Sequence, residues 1–116
     1  MVTVYEILMK ARGRIDSPDK WCKGDYFKDG KCCLAGALHY ALSGKDRLVY
    51  KGECDRELLA LTRSVEVLVK KCSKTPMSQG LHHFNDRGTT THQDVMRVMD
   101  EAIALAKKEV QDGQAE

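Results

Sequence analysis

The residues most suited to chemistry in this sequence are its cysteines and histidines, and one set of them matches the composition of a thiol-dependent site. Cys33 lies at the predicted start of a helix, where backbone amides and the helix dipole favour a thiolate. His92 would act as the base, with Asn85 or Asp86 orienting it. Such residue types meet by chance easily in a chain with five cysteines and four histidines. Packing and helix capping are therefore the favoured interpretation.

The spacing of the cysteines and histidines does not favour a metal site. Zinc sites usually contain close pairs such as C-x2-C. The candidate ligands here are separated by nine, zero and five intervening residues: Cys22, Cys32, Cys33 and His39. A metal site on the helix face that carries His39 would need the adjacent His82 and His83 to approach it, but neighbouring side chains point in different directions and do not easily share a ligand set. We expect neither a metal nor a cofactor.

The composition predicts one ordinary globular domain. The chain has 116 residues, of which 42% are hydrophobic and 31% charged. It contains no basic leader and no apolar run of membrane-spanning length, so we expect a cytoplasmic protein with reduced cysteines and no membrane contact. A net charge of only +2 gives no support to nucleic-acid binding. Neither a phosphate-binding glycine loop nor a dinucleotide fingerprint occurs.

Helix and turn signals predict a mostly α fold. A capping box at Thr3 and Glu6 predicts a first helix over about residues 4 to 12 that stops at Gly13. Turn residues fill the segment 16–31, which holds Trp21, and predict an ordered loop or a small hairpin around Asp29-Gly30.

Apolar stripes predict three further helices, over about residues 32 to 43, 54 to 72 and 91 to 110. Gly36, on the face of the second helix opposite its leucines, indicates close packing of another backbone. We expect a brief extended run at 48–50, a structured connection over 73–90 with a turn or two of helix, and a frayed tail at 111–116. The predicted architecture is a compact single-domain bundle, residues 1–110, of about four helices.

A pattern spread from about residue 10 to residue 106 resembles a domain family of unknown function associated with actinobacteria and bacteriophages. Its elements are Ala11-Arg12, Ile15, Trp21-x-x-Gly24, Gly30-x-x-Cys33-x-x-Gly36-Ala37-Leu38, Asn85-Asp86, Thr91-His92-x-Asp94-Val95, Ala102-Ile103 and Ala106. The family pattern usually has tryptophan where this chain has Phe84. The resemblance implies a compact helical domain and a phage or mobile-element origin, and it transfers no catalytic residue.

Three hypotheses for function follow. The leading one is a small, non-enzymatic, phage-encoded accessory protein that binds and modulates a host protein, as an anti-defence inhibitor or adaptor does. The residues expected at its binding surface are Trp21, Phe84, Asn85, Asp86 and His92. The sequence does not indicate an oligomeric state.

The second hypothesis is the thiol enzyme with Cys33, His92 and Asn85. The third is a weak nucleic-acid-binding module that uses a local basic patch. The patch comprises Lys45, Arg47, Lys51, Lys70 and Lys71.

Overall fold

In residues 3–47 and 56–114, which the computed structural model describes, the chain forms five α-helices and a two-stranded antiparallel hairpin. The elements are α1 (Val4–Arg14), β1 (Phe27–Lys28), β2 (Lys31–Cys32), α2 (Leu34–Ser43), α3 (Arg56–Ser73), α4 (His82–Asp86) and α5 (His92–Gln114), with a 3₁₀ turn at Pro18–Lys20. The prediction of a mostly α fold with about four main helices and a small hairpin is confirmed. None of the helices in these ranges has the length and apolar character needed to span a membrane.

The first helix begins as its capping signal predicts but ends later. The backbone N–H of Glu6 donates to the Thr3 hydroxyl oxygen at 3.2 Å. The predicted stop at Gly13 is wrong, because this glycine does not adopt the left-handed conformation that ends a helix, and α1 continues to Arg14. The chain leaves the helix at Ile15, whose N–H donates to the Arg12 carbonyl oxygen.

The hairpin forms at the predicted place and leads directly into α2. Asp29 and Gly30 have φ values of 52° and 80°, and positive φ at both central residues is the requirement of a type I′ turn. Cys32 belongs to β2 rather than to the helix, so α2 begins two residues later than predicted and has Cys33 as its N-cap. The helix ends at Gly44 in the left-handed conformation, with φ 74°.

The core lies where α1 packs against α2, α3 and α5, and where α3 packs against α5. The predicted apolar stripes supply it. Its fully buried larger side chains include Leu8, Ile15, Leu34, Val65, Val69, Val95 and Met99. These contacts hold α2 in a fixed position, so the loop and the short α4 that pack on it are also held.

The second half differs from prediction mainly at element boundaries. The connection over 73–90 contains the short helix α4, as expected, and α5 continues to Gln114, past the predicted end near residue 110. The extended run at 48–50 and the predicted helix start at residue 54 lie outside the described residues. Fraying of residues 111–116 stays a prediction.

At Gly36 the backbone of the segment just before β1 lies directly against α2. A Cβ atom at this position would lie 2.2 Å from the carbonyl oxygen of Tyr26 and 3.2 Å from the Cys32 Cβ. The same Tyr26 oxygen accepts a hydrogen bond from the Cys33 N–H at 3.2 Å. The predicted close packing of a backbone on Gly36 is confirmed, and it fixes the distance between the loop and the helix.

Two glycine-to-alanine variants should therefore have opposite effects on stability. Gly36→Ala should lower the free energy of unfolding by about 1–3 kcal/mol, because the collision with Tyr26 outweighs the better helix propensity of alanine. Gly13→Ala, a matched helical position with nothing within 4 Å of the added Cβ, should raise it by about 0.5–1 kcal/mol. Urea unfolding measures both, and equal effects would contradict a steric collision between Tyr26 and the Cβ that Gly36→Ala adds.

Candidate functional site

Asn85 is completely buried where the Trp21 loop (residues 16–31), the start of α2 and α4 meet. Its Oδ1 accepts hydrogen bonds from the Trp21 indole N–H at 2.6 Å and from the Leu34 backbone N–H at 3.0 Å. Its Nδ2 donates to the Cys22 carbonyl oxygen at 3.0 Å and to Asp86 Oδ1 at 2.9 Å. The amide thus uses its full hydrogen-bonding capacity inside the protein. We call this arrangement the Asn85 junction.

Asp86 and the residue after it extend the junction to the next part of the loop. The Asp86 carboxylate accepts a hydrogen bond from the Gly24 backbone N–H at 2.9 Å, and Lys23 Nζ donates to the Arg87 carbonyl oxygen at 2.8 Å. The loop also joins β2, because the Cys22 N–H donates to the Cys32 carbonyl oxygen. Contacts on both sides therefore hold the Trp21 loop against the body of the protein.

His92 lies next to the junction but faces a backbone group rather than a nucleophile. Its Nε2 is 2.7 Å from the Ile15 carbonyl oxygen, which can only accept, so this nitrogen carries the proton. Its ring packs on the Trp21 ring, with centroids 5.8 Å apart. The structure brings His92 to Trp21, and the hydrogen bonds of its described residues do not join it to Cys33 or Asn85.

Cys33 serves as a helix cap and not as a thiolate. Its Sγ accepts a hydrogen bond from the Gly36 N–H at 3.3 Å, and the residue is 2% exposed. Burial raises the pKa of the Cys33 thiol, and the amides of Gly36 and Ala35 oppose this only in part. Desolvation thus opposes the thiolate that a helix start would favour, and the capping bond agrees with the interpretation of Cys33 as a packing and capping residue.

The other predicted residues differ in burial and in their contacts. Phe84 is buried in the core, while Trp21 is half-buried at the junction. The rings of His82 and His83 lie 4.3 Å apart, so the prediction that they diverge is wrong. Among the described residues, no group of three His, Cys, Asp or Glu side chains is arranged to hold a metal ion.

One residue of the basic patch in the nucleic-acid hypothesis, Lys70, is not on the surface. Lys70 is buried, and its Nζ forms an ion pair with Glu66 Oε1 at 2.9 Å. The same Nζ donates a hydrogen bond to the Met77 carbonyl oxygen at 3.2 Å. Lys51 lies outside the described residues, while Lys45, Arg47 and Lys71 are exposed. Lys70 was wrongly assigned to the surface because its position on α3 faces the connection to α4.

Beside the Asn85 junction, a cleft opens between α2, α3 and the start of α4. It consists of two pockets, of about 150 Å³ and about 180 Å³, that share Tyr26 and His82 in their walls. Ala35, Leu38, Leu42 and Leu81 form the apolar wall of the first pocket. Ligands usually bind in concave, mostly apolar pockets with a few polar groups, and pockets of this size fit a single side chain rather than the ligands that fill sites of roughly 300–1,000 Å³. We call the two pockets together the cleft.

The polar groups of the cleft are two histidines and several carboxylates. His39 and Glu66 line the first pocket, and Asp25, Asp86 and Cys33 line the second. The His39 ring meets the Tyr26 ring edge-on, with centroids 6.1 Å apart. Burial lowers the pKa of His39, so the imidazole is neutral at physiological pH.

Sequence reasoning did not identify the cleft. His82 and His39 both line the first pocket, and the sequence raised this approach only as part of a metal site. Nothing in the sequence indicated that Tyr26 and Glu66 lie in one site. A hairpin that packs on Gly36 places Tyr26 over the face of α2 that carries His39, and the glycine was the available signal.

The family model described as a family of unknown function, DUF6197, matches residues 1–105. The match confirms the resemblance to a family of unknown function. No curated protein and no solved structure matches the chain.

The half-buried His39 should make stability depend on pH near neutrality. Because its pKa is lowered from 6.5 on folding, the unfolded chain binds a proton more readily, so stability is complete above about pH 6.5 and decreases below it. The lowered pKa values of Asp16, Asp46 and Asp94 act only near and below their ordinary value of 3.8.

We expect the free energy of unfolding to fall between about pH 7.5 and pH 5.5 in the natural protein, and to fall less in His39→Gln. His83→Gln, which changes an exposed histidine, is the matched control and should follow the natural protein. Urea unfolding at several pH values measures the slope. An equal slope in His39→Gln and the natural protein would contradict the assignment.

Proposed function

The chain belongs to a family of unknown function, and we propose that it is a non-enzymatic accessory protein that binds another protein and modulates it. The cleft receives an anchor side chain of that partner. The leading hypothesis from the sequence, a phage-encoded protein that acts on a host protein in the cytoplasm, forms part of the proposal. The observation that carries it is the apolar cleft with an exposed aromatic ring at its rim.

Tyr26 gives the cleft the character of a recognition site. Its side chain is 39% exposed although it packs beside His39, and both pockets of the cleft include it. Tyrosine is enriched among residues that dominate binding energy, because it offers a large rigid surface with one polar end. Behind it, Leu38, Leu42 and Leu81 provide an apolar pocket that suits one inserted side chain.

The side chains with catalytic potential support binding over catalysis. The Asn85 amide is used within the junction, and His92 bonds a backbone carbonyl. Cys33 caps a helix, and the pKa of its thiol is raised. An active thiol site needs a nucleophile and base in mutual contact and a pKa matched to the reaction. These three residues are engaged with the fold instead.

In this proposal, some of the predicted binding residues hold the site in place and the others contact the partner. Phe84 and Asn85 are buried and act by holding α4 and the loop in place. Asp86 is exposed and lines the cleft, whereas Trp21 and His92 are half-buried and line neither of its pockets. We propose that Asp86, with the accessible edges of Trp21 and His92, contacts the partner around the anchor.

The test compares capture of proteins from a bacterial lysate by the tagged natural protein and two variants. Tyr26→Ala removes the exposed rim of the cleft, whereas Met77→Ala removes a 60% exposed side chain that does not line the cleft. We expect one saturable partner to stay bound to the natural protein and to Met77→Ala. Its affinity for Tyr26→Ala should fall about tenfold or more, as for the loss of an aromatic anchor contact.

Circular dichroism and thermal unfolding should show that both variants keep the fold, since both side chains are exposed. Capture that is equal for all three proteins would place the interaction elsewhere on the surface. Absence of any saturable protein partner would contradict the proposed function.

A further inference from the structure

We infer that the cleft selects a cationic group with an apolar stem, such as an alkylammonium or alkylguanidinium group. The inference rests on the proposed function and names the chemistry of the anchor, namely a lysine or arginine side chain of the partner. It follows from the sign of the charges around the cleft and from the shape of its apolar wall.

Three carboxylates surround the cleft, and each has an oxygen available to an incoming cation. Glu66 pairs with Lys70 through Oε1, Asp25 approaches Lys28 at 4.0 Å through Oδ2, and Asp86 accepts its two hydrogen bonds through Oδ1. Within the described residues, the other oxygen of each group has no hydrogen bond or ion pair. A carboxylate can accept several bonds, so these oxygens can still bind an ammonium or guanidinium group.

No lysine or arginine lines either pocket in the part of the chain that the structure describes. This contrasts with the whole chain, which has 19 such residues and a net charge of +2. The two lysines paired with Glu66 and Asp25 are not among the lining residues, so the acidic and basic side chains that line the cleft, histidines apart, are all carboxylates. Opposite charge and the absence of lining cations together favour a cationic occupant.

The apolar wall suits the stem of such a group. Leu38, Leu42 and Leu81 line the first pocket. Lysine and arginine commonly lay their methylene groups along apolar surface while the charged end stays near water. The Tyr26 ring at the rim can also stack with a guanidinium group. The pocket volume of about 150 Å³ accommodates a short chain but not a bulky ring system.

The experiment titrates n-butylguanidinium and its neutral analogue n-butylurea into the ¹⁵N-labelled full chain and follows amide NMR shifts. We expect n-butylguanidinium to shift the resonances of Tyr26, His39, Glu66 and His82, and n-butylurea to bind about tenfold or more weakly. Asp25→Asn should weaken n-butylguanidinium binding severalfold. Asp19→Asn, an exposed loop carboxylate that does not line the cleft, should leave it unchanged.

A second variant, Glu66→Gln, repeats the test at the first pocket. Unfolding measurements show whether the variant stays folded when the buried Lys70 loses its ion pair with Glu66. A short peptide with one arginine and its citrulline counterpart distinguish a protein side chain from a free small molecule. Tighter binding of the arginine peptide than of n-butylguanidinium supports a protein anchor. Equal binding assigns the cleft to a small cationic metabolite and overturns the anchor assignment.

Equal binding of n-butylguanidinium and n-butylurea would overturn selection by charge while leaving the cleft as an apolar anchor site. Binding of neither probe, or shifts confined to other parts of the chain, would overturn the inference outright. The proposed function is judged separately, by whether Tyr26→Ala loses a captured protein, so the two failures are distinguishable.

Discussion

The arrangement of this protein depends on one buried amide. Asn85 is 0% exposed and bonds the Trp21 indole, the Leu34 backbone at the start of α2, the Cys22 carbonyl and Asp86. A buried polar group costs free energy unless it is hydrogen-bonded, so the loop, α2 and α4 must adopt the one arrangement that provides all of its partners. The cleft lies beside these three elements, and its shape follows from this requirement.

A second set of contacts holds the hairpin from the other side. The Arg14 guanidinium, at the end of α1, bonds both carboxylate oxygens of Asp46 at 2.9 and 2.8 Å and also the Gly30 carbonyl oxygen at 2.8 Å. The hydrogen bond from Arg14 lowers the pKa of Asp46. These hydrogen bonds of Arg14, together with the contact of Tyr26 on Gly36, hold the hairpin across α2. Tyr26 is therefore held over the cleft although its ring is partly exposed.

Local signals predicted the elements, while contacts distant in sequence determined the site. The capping box at Thr3, the turn at Asp29-Gly30 and the apolar stripes act within a few residues, and sequence reasoning identified them. Asn85 bonds groups 51 to 64 residues away, and His92 bonds a carbonyl 77 residues away. Their partners depend on how the helices pack, so residue types alone suggested a catalytic set where the fold has a junction. Gly13 was misread because a glycine that ends a helix differs from one inside it only in backbone conformation.

Hydrogen exchange of the Trp21 indole N–H tests the central role of the Asn85 junction most directly. This proton is bonded to Asn85 Oδ1 at 2.6 Å, although Trp21 lies in a loop and is only half-buried. We expect this proton to exchange as slowly as the backbone amides of the α2 core, through opening of the whole structure. The Leu34 N–H should exchange at a similar rate. Fast exchange of the indole proton, with the α2 amides still protected, would contradict the account, because the loop would then open independently of the fold.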